Sequence, residues 1–277
     1  MKMRTLLTAI TLFTFAVALN SCKKNNALDE FETTFELSAD QAVADNLTQD
    51  ANDVLSEAAI DKDLMGGRTP TQTTGILSCA TLTVTPLNGW PKTVVIDFGT
   101  GCTSPNGITR KGKINVVLSD SVRKSGSTAV MTFDNYFVNL YKVEGTITWT
   151  NTSTPTTVGW NRKIESGKVT APDGKYWLHV GNKDVLQIAG SSTPYNLLDD
   201  IFTAMGNHSV TNSEGKNRTA TVLTPLQKKT ICANIDKGTV KIQGPNHYAI
   251  IDFGDGTCDN LATISIDGRT PRTIILR

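Results

Sequence analysis

Apolar and polar residues alternate along most of the chain after about Thr73. The alternation is clearest in residues 80–85, 113–118 and 143–150. Shorter alternating segments follow at residues 168–170, 176–180, 219–223, 239–242, 249–253 and 263–266, with glycine-containing turn sequences between many of them. A period of two with regular turns is typical of short antiparallel strands. The sequence therefore predicts a mainly β fold, built as an antiparallel meander or as a sandwich.

The preceding segment has helical spacing instead. Six apolar residues fall on one helical face, with acidic residues on the other: Val43, Leu47, Ala51, Val54, Leu55 and Ala58. Ser38 and Gln41 have the spacing of a capping box, so we expect one amphipathic helix over about residues 39–60. We expect the apolar face of this helix to pack against the β domain. The alternative is that this face binds a partner. Residues 195–205 are a weaker second helix candidate.

The first 21 residues have the pattern of an export signal. Lys2 and Arg4 precede an apolar stretch over residues 6–19, which is too short for a comfortable permanent membrane span. Residues 19–22, Leu-Asn-Ser-Cys, resemble the lipobox of bacterial lipoproteins. That resemblance implies lipidation of Cys22, which would anchor the protein in a membrane through two or three acyl chains. Lys23 rather than an acid follows the cysteine, which favours the outer membrane and leaves its periplasmic and surface sides open.

These patterns divide the chain into four segments. We expect a signal peptide over residues 1–21, a polar tether over 22–37, the helix over 38–63 and the β domain over 64–277. Charge is uneven between them: residues 27–63 hold 11 acids and one base, whereas residues 64–277 hold 22 bases and 15 acids. The acidic segment either docks on the basic body or stays solvated. The net charge of the whole chain is +1, and this near-neutral value argues against nucleic-acid binding.

Two parts of the β domain repeat one plan. Residues 79–118 and 232–267 each contain a cysteine, an Ile-Asp-Phe-Gly turn, a second cysteine and a further strand. The two copies are expected to form related hairpins that bracket the domain. Four cysteines of an exported protein should be oxidised, with three possible pairings. The repeat favours Cys79 with Cys102 and Cys232 with Cys258 over a pairing between the copies or a four-cysteine zinc site.

The lipobox, the helix, the paired Ile-Asp-Phe-Gly turns and the Asp-Gly-Thr-Cys-Asp-Asn sequence of residues 255–260 together resemble a family of uncharacterised, β-rich Bacteroidota outer-membrane lipoproteins. The resemblance implies an envelope location and a β-rich fold but no activity. Residues 252–256 also resemble the turn of PKD-type β-sandwich modules, although the downstream His-Thr-Tyr segment of those modules is missing.

No motif in the sequence indicates catalysis. The Asp-Phe-Gly tripeptides lack the other protein-kinase motifs. Asp252, Asp255 and Asp259 could offer oxygens to calcium, but their spacing matches no calcium-binding loop, and a capped turn is the simpler interpretation. His179, His208 and His247 lie in separate segments without a neighbouring catalytic motif. The four tryptophans, Trp90, Trp149, Trp160 and Trp177, either pack in the sheet or stack on sugar rings.

We therefore expect a lipid-anchored cell-envelope protein without catalytic residues or a cofactor, acting as a binding or structural module. Its partner would be a glycan or another envelope protein. The alternative is a glycan-binding surface lipoprotein, which requires several tryptophans exposed on one flat face. An envelope hydrolase is the third possibility, and it would need acidic and histidine side chains that converge in a cleft.

Overall fold

A computed structural model describes residues 22–62, 64 and 74–276. The predicted signal peptide (1–21) lies outside these residues. The described residues form one long α-helix, α1 (Cys22–Asp61), one 3-10 helix (Leu197–Asp199) and fourteen strands. The strands are β1 Thr81–Thr85, β2 Lys92–Asp97, β3 Cys102–Thr103, β4 Thr109–Leu118, β5 Thr128–Val138, β6 Tyr141–Asn151, β7 Val158–Thr170, β8 Tyr176–Ala189, β9 Ile201–Asn212, β10 Asn217–Lys229, β11 Lys237–Gln243, β12 Tyr248–Asp255, β13 Leu261–Ile266 and β14 Arg272–Ile275.

All the strands belong to one antiparallel sheet in which sequence neighbours are spatial neighbours. Its order is β1-β2-β4-β5 and onward to β14, with the two-residue strand β3 paired to β4. The sheet is not closed, so β1 and β14 are its edges. The mainly β prediction is confirmed, and of its two forms the structure has the meander.

Two helix predictions need correction. Helix α1 begins at Cys22, so the segment expected to be a polar tether is helical. Ser38 does not cap the helix: its hydroxyl lies inside α1 and donates to the carbonyl of Thr34 at 2.6 Å. The segment 195–205 contains only the 3-10 turn Leu197–Asp199 before β9 begins at Ile201. Pairing of β9 with both β8 and β10 overrides the local helical pattern there.

Helix α1 is buried on every side over its central turns. The six apolar residues of its predicted core face are buried, as expected. Asp45, Asp50 and Glu57 on the other side are buried as well, each with 3 % or less of its surface exposed. The sheet therefore curves around the helix, and the helix is the centre of the core rather than an amphipathic cover on one face. Of the two options for the acidic segment, docking is the one observed.

Inward-pointing cations of the sheet meet these acids. Arg110 of β4 binds Asp50 through two hydrogen bonds, Nε–Oδ2 at 2.9 Å and Nη2–Oδ1 at 2.6 Å. Lys183 of β8 contacts Asp45 at 2.5 Å. Two further pairs, Lys228 with Asp53 and Arg218 with Glu30, each measure 2.8 Å. A charge removed from water needs an opposite charge and hydrogen bonds to compensate its lost hydration, so these pairs fix how the helix sits inside the sheet.

The two repeats lie in opposite halves of the sheet, the first in β1–β4 and the second in β11–β13. Cys79 and Cys102 are a disulfide-distance pair with Cα atoms 5.8 Å apart, and Cys232 and Cys258 are a second pair at 5.1 Å. These are the pairings that the repeat favoured. Asp97 and Asp252 occupy equivalent turns, and each carboxylate accepts from the backbone N–H two residues later. The repeated phenylalanines, Phe98 and Phe253, are both buried. The repeat thus encodes a turn and a core contact rather than a site.

Helix α1 also holds the loop beside each repeat. The Glu57 carboxylate accepts from the backbone N–H of Leu77 at 3.1 Å, two residues before Cys79. The Asn46 side-chain oxygen accepts from the backbone N–H of Ile235 at 2.7 Å, three residues after Cys232. Side chains of one helix therefore hold the segments that precede β1 and β11, in opposite halves of the open sheet.

Asp50→Asn should strongly destabilise the fold, because the fully buried Arg110 guanidinium would lose its counter-charge. Breaking one partner of a buried pair typically lowers the free energy of unfolding by about 3–5 kcal/mol. Glu165→Gln is the matched control, since its pair with Lys163 is about half exposed on each side and should change stability by only about 0–1 kcal/mol. Urea unfolding of both variants measures the difference, and equal effects would contradict this account of the core.

Candidate functional site

A cavity of about 280 Å³ lies between the C-terminal half of α1 and strands β4 to β9. We call it the distal cavity. Helix residues Asn52, Leu55, Ser56 and Ala59 form one wall. The opposite walls are mainly aliphatic and aromatic, and include Leu118, Trp149, Val158, Trp160, Val185 and Phe202. Concave apolar surfaces with a few polar groups are typical of small-molecule sites, whose volumes begin near ~300 Å³.

The position of the helix explains the cavity. The backbone of α1 lies closest to β8, β9 and β11–β13, so the gap opens toward β4–β7. Ser56 and Ala59 of the helix and Ala129 of β5 present short side chains to this gap. Longer side chains at these three positions would fill the space that the cavity occupies. The void is thus a consequence of off-centre helix packing combined with small residues.

Two charged side chains are part of the lining of the distal cavity. Arg123 lies in the exposed β4–β5 connection, and Asp200 immediately precedes β9. The Asp200 carboxylate is 6 % exposed and accepts from the Gln187 side-chain amide at 2.8 Å. Burial raises the pKa of Asp200 to about 6, and the neighbouring charge of Asp199 acts in the same direction. The carboxyl group is therefore ionised at pH 8 and increasingly protonated below pH 6.

A second group of polar side chains is enclosed between α1 and strands β7–β9. It contains Asp45, Arg162, His179, Lys183 and His208, all with 8 % or less of their surface exposed. His208 Nε2 lies 3.7 Å from the Asp45 carboxylate, and Arg162 lies 3.5 Å from the side-chain oxygen of Gln49. We call these five residues the interior charge cluster.

Glycines make room for the two histidines of this cluster. Gly181 is the cross-strand partner of His208, and a Cβ atom at Gly181 would lie 2.3 Å from the Cβ atom of His208. Gly167 is the cross-strand partner of His179, and a Cβ atom at Gly167 would lie 2.5 Å from the backbone oxygen of His179. Each imidazole therefore occupies space that the neighbouring strand leaves open.

The electrostatics of the interior charge cluster favour neutral histidines. Burial lowers the pKa of His179 to about 4, and burial together with the charge of Lys183 lowers the pKa of His208 to about 3. Burial also lowers the pKa of Lys183, to about 8. Burial opposes ionisation of Asp45, but the positive charge of Lys183 and its hydrogen bond to the carboxylate outweigh burial and hold the Asp45 pKa well below its usual range. The cluster is buried and ion-paired, which suits a structural role better than reaction with a substrate.

The remaining candidates from the sequence have structural partners. Asp252, Asp255 and Asp259 each accept a hydrogen bond from the backbone two residues later. In the part of the chain that the structure describes, one group of three side chains has the spacing of metal ligands: Cys232, Asp236 and Cys258. The two cysteine sulfurs of this group form a disulfide-distance pair with each other. His247 does have a carboxylate partner, which sequence reasoning missed: its Nδ1 lies 2.6 Å from Asp267, and the pair joins the β11–β12 and β13–β14 turns.

The tryptophans do not form an exposed face. All four lie within the described residues: Trp149 and Trp177 are buried, and Trp90 and Trp160 are half-buried. Trp149 and Trp160 instead line the distal cavity. The flat aromatic surface that the glycan-binding alternative requires is therefore missing.

No family model, curated protein or solved structure matches the chain. Among the helices of the described residues, none has both the length and the apolar composition to cross a membrane. The geometry of the distal cavity is thus the main observation on which a functional proposal can rest.

Acidification should destabilise the protein through the buried histidines. A buried histidine with a lowered pKa binds a proton less readily in the folded protein than in the unfolded chain. Its contribution to stability is therefore complete above the unfolded pKa, near 6.5, and is lost as the pH falls toward the folded pKa. For His179 this loss amounts to about 2–3 kcal/mol between pH 6.5 and 4. Urea unfolding of His179→Gln and the unmodified protein across this range measures it. Parallel pH profiles would contradict the assignment. Asp40 and Asp200 have raised pKa values of about 7 and 6, so their contribution to stability falls as the pH rises. This opposite dependence is present in both proteins.

Proposed function

We propose that this protein is a lipid-anchored cell-envelope binding protein that holds one small, largely apolar ligand in the distal cavity. The observation that supports the binding role is the combination of Leu55, Trp149, Trp160 and Phe202 around one partly open space. Burial of apolar ligand surface there would stabilise a complex by about 25 cal/mol per Å² before the entropic costs of association. A non-enzymatic role fits the apolar lining.

The proposed anchor and the distal cavity lie at opposite ends of α1. Lipid on Cys22 would hold the start of the helix at the membrane, and the cavity wall begins at Asn52, 30 residues later. At 1.5 Å per residue this corresponds to about 45 Å along the helix axis. The cavity would therefore lie far along the helix from the anchoring point rather than next to the lipid-carrying residue.

Cys22→Ser tests the anchor. Without the thiol no lipid can be attached, so the variant should leave the membrane fraction and appear as soluble or unprocessed protein. Fractionation of cells that produce either form, followed by mass spectrometry of residue 22, makes the comparison. Persistence of the variant in the membrane fraction, in processed form, would contradict lipid anchoring.

Val185→Phe tests the distal cavity. Val185 is 3 % exposed and lines it, so the larger ring should fill part of the space and weaken binding of the apolar fluorescent probe N-phenyl-1-naphthylamine by about tenfold or more. Val180→Phe is the matched control on the outer face of the same strand, where the side chain is 44 % exposed.

Urea unfolding of both variants identifies any general loss of structure. Failure of the unmodified protein to bind the probe would contradict the proposed function. So would equal binding by the two folded variants.

A further inference from the structure

Two opposite charges, Asp200 and Arg123, face the distal cavity without a direct ion pair to each other or to another described residue, although the positive charge of Arg123 acts on Asp200 from a distance and lowers its pKa, against the larger effect of burial. Within the described residues, no Lys, Arg or His nitrogen lies within 4.0 Å of the Asp200 carboxylate, and no carboxylate lies within 4.0 Å of the Arg123 guanidinium. Both side chains belong to the cavity lining. They are carried by different connections, Arg123 by the one between β4 and β5 and Asp200 by the one between β8 and β9. A carboxylate next to apolar walls is unfavourable unless its charge is compensated, and Arg123 compensates it only in part because the two groups do not touch.

The fold holds Asp200 firmly in this position. Its backbone N–H donates to Leu197 at 3.3 Å, and its carbonyl accepts from Thr230 at 3.1 Å. Its side chain receives one hydrogen bond, from Gln187. An ionised carboxylate can accept about four hydrogen bonds, so acceptor capacity remains for a ligand. The carboxylate is thus fixed in position before a ligand arrives, which reduces the entropy lost on binding.

We propose that the ligand of the distal cavity is a single-chain zwitterionic amphiphile, whose ammonium group binds Asp200 and whose anionic group binds Arg123. This inference rests on the proposed function, because it concerns the same cavity. The apolar walls formed by Trp149, Trp160 and Val185 take the chain, and the two charges take the two ends of the head group. Arg123 is exposed at the mouth, which suits a strongly hydrated phosphate or carboxylate.

The size of the distal cavity restricts the number of chains. Its volume of about 280 Å³ is at the small end for ligand sites, which run to about 1,000 Å³. A volume at this end of the range suits one aliphatic chain better than the two chains of a membrane phospholipid. The half-buried Trp160 and the nearly buried Asp200 place the chain and the ammonium group on the inner side of Arg123.

The test compares three probes that share one lauroyl chain: lauroyl lysophosphatidylethanolamine, which is zwitterionic, lauroyl lysophosphatidylglycerol, which is anionic, and monolauroylglycerol, which is neutral. Binding to the full-length protein is measured at pH 8 by displacement of N-phenyl-1-naphthylamine, below the micelle concentration of each probe. The zwitterionic probe should bind at least about tenfold more tightly than the neutral one, as a charge-assisted hydrogen bond contributes on this scale.

Two variants locate the head group. Asp200→Asn should remove the preference for the zwitterionic over the anionic probe, and Arg123→Gln should weaken both phospholipid probes relative to monolauroylglycerol. Asp199→Asn and Lys124→Gln are the matched controls, since each is the same change at the adjacent position and neither residue lines the distal cavity.

The outcomes separate the two proposals. If all three probes bind alike and the variants change nothing, the head-group inference is wrong while the binding function stands. If the dye binds but none of the three probes displaces it, the amphiphile inference fails while the binding function stands; if the dye itself does not bind, the proposed function fails. Tighter binding of the anionic probe than of the zwitterionic one would also overturn the role of Asp200.

Discussion

Ion pairs between the acids of α1 and the inward-facing cations of the sheet hold this structure together. An open antiparallel meander has no closing contact between its edge strands, so something inside must hold its curvature. Helix α1 does this through Asp50 with Arg110, Asp45 with Lys183 and Asp53 with Lys228. Each pair is directional, whereas apolar packing alone would permit the helix to slide or rotate. The register of the helix within the sheet is therefore set by charge, and the apolar side chains fill the space around it.

The same arrangement generates the distal cavity. Because the helix is drawn toward β8, β9 and β11–β13, a gap remains beside β4–β7 at its C-terminal half. The interior charge cluster lies deeper along the same helix, where Asp45 and Gln49 face β7 and β8. A helix fixed by charges at its middle thus supports an apolar site near its end, and the site depends on the helix holding its register.

Much of the sheet could be predicted from the alternation of residues, and the cysteine pairing from the repeat of Asp97-Phe98-Gly99 as Asp252-Phe253-Gly254. Strand β8 shows where this reasoning stops. Its exposed face carries Leu178, Val180, Leu186 and Ile188, while its inner face carries His179 and Lys183. A hydrophobicity pattern would therefore predict the opposite orientation for this strand. The partner that explains the buried Lys183 is Asp45, which lies well over a hundred residues earlier and is not part of any local pattern. The helix before Ser38 was missed for a related reason: Ser38 resembles a cap locally, but Glu30 and Thr34 contact Arg218 of β10 and hold this part of the helix against the sheet. The distal cavity depends on the packing angle of the helix, which no local pattern contains.

Hydrogen exchange followed by mass spectrometry is the most direct measurement of the central claim, that α1 is an integral part of the core held by buried ion pairs. The account predicts that amides of residues 41–58 exchange as slowly as those of β5 to β9, and that both exchange only through global unfolding. It also predicts that the helix amides lose this protection together with the sheet when Arg110 is replaced by methionine. Rapid exchange of residues 41–58 while the strands stay protected would show that the helix leaves the sheet as an independent segment, and would contradict the account.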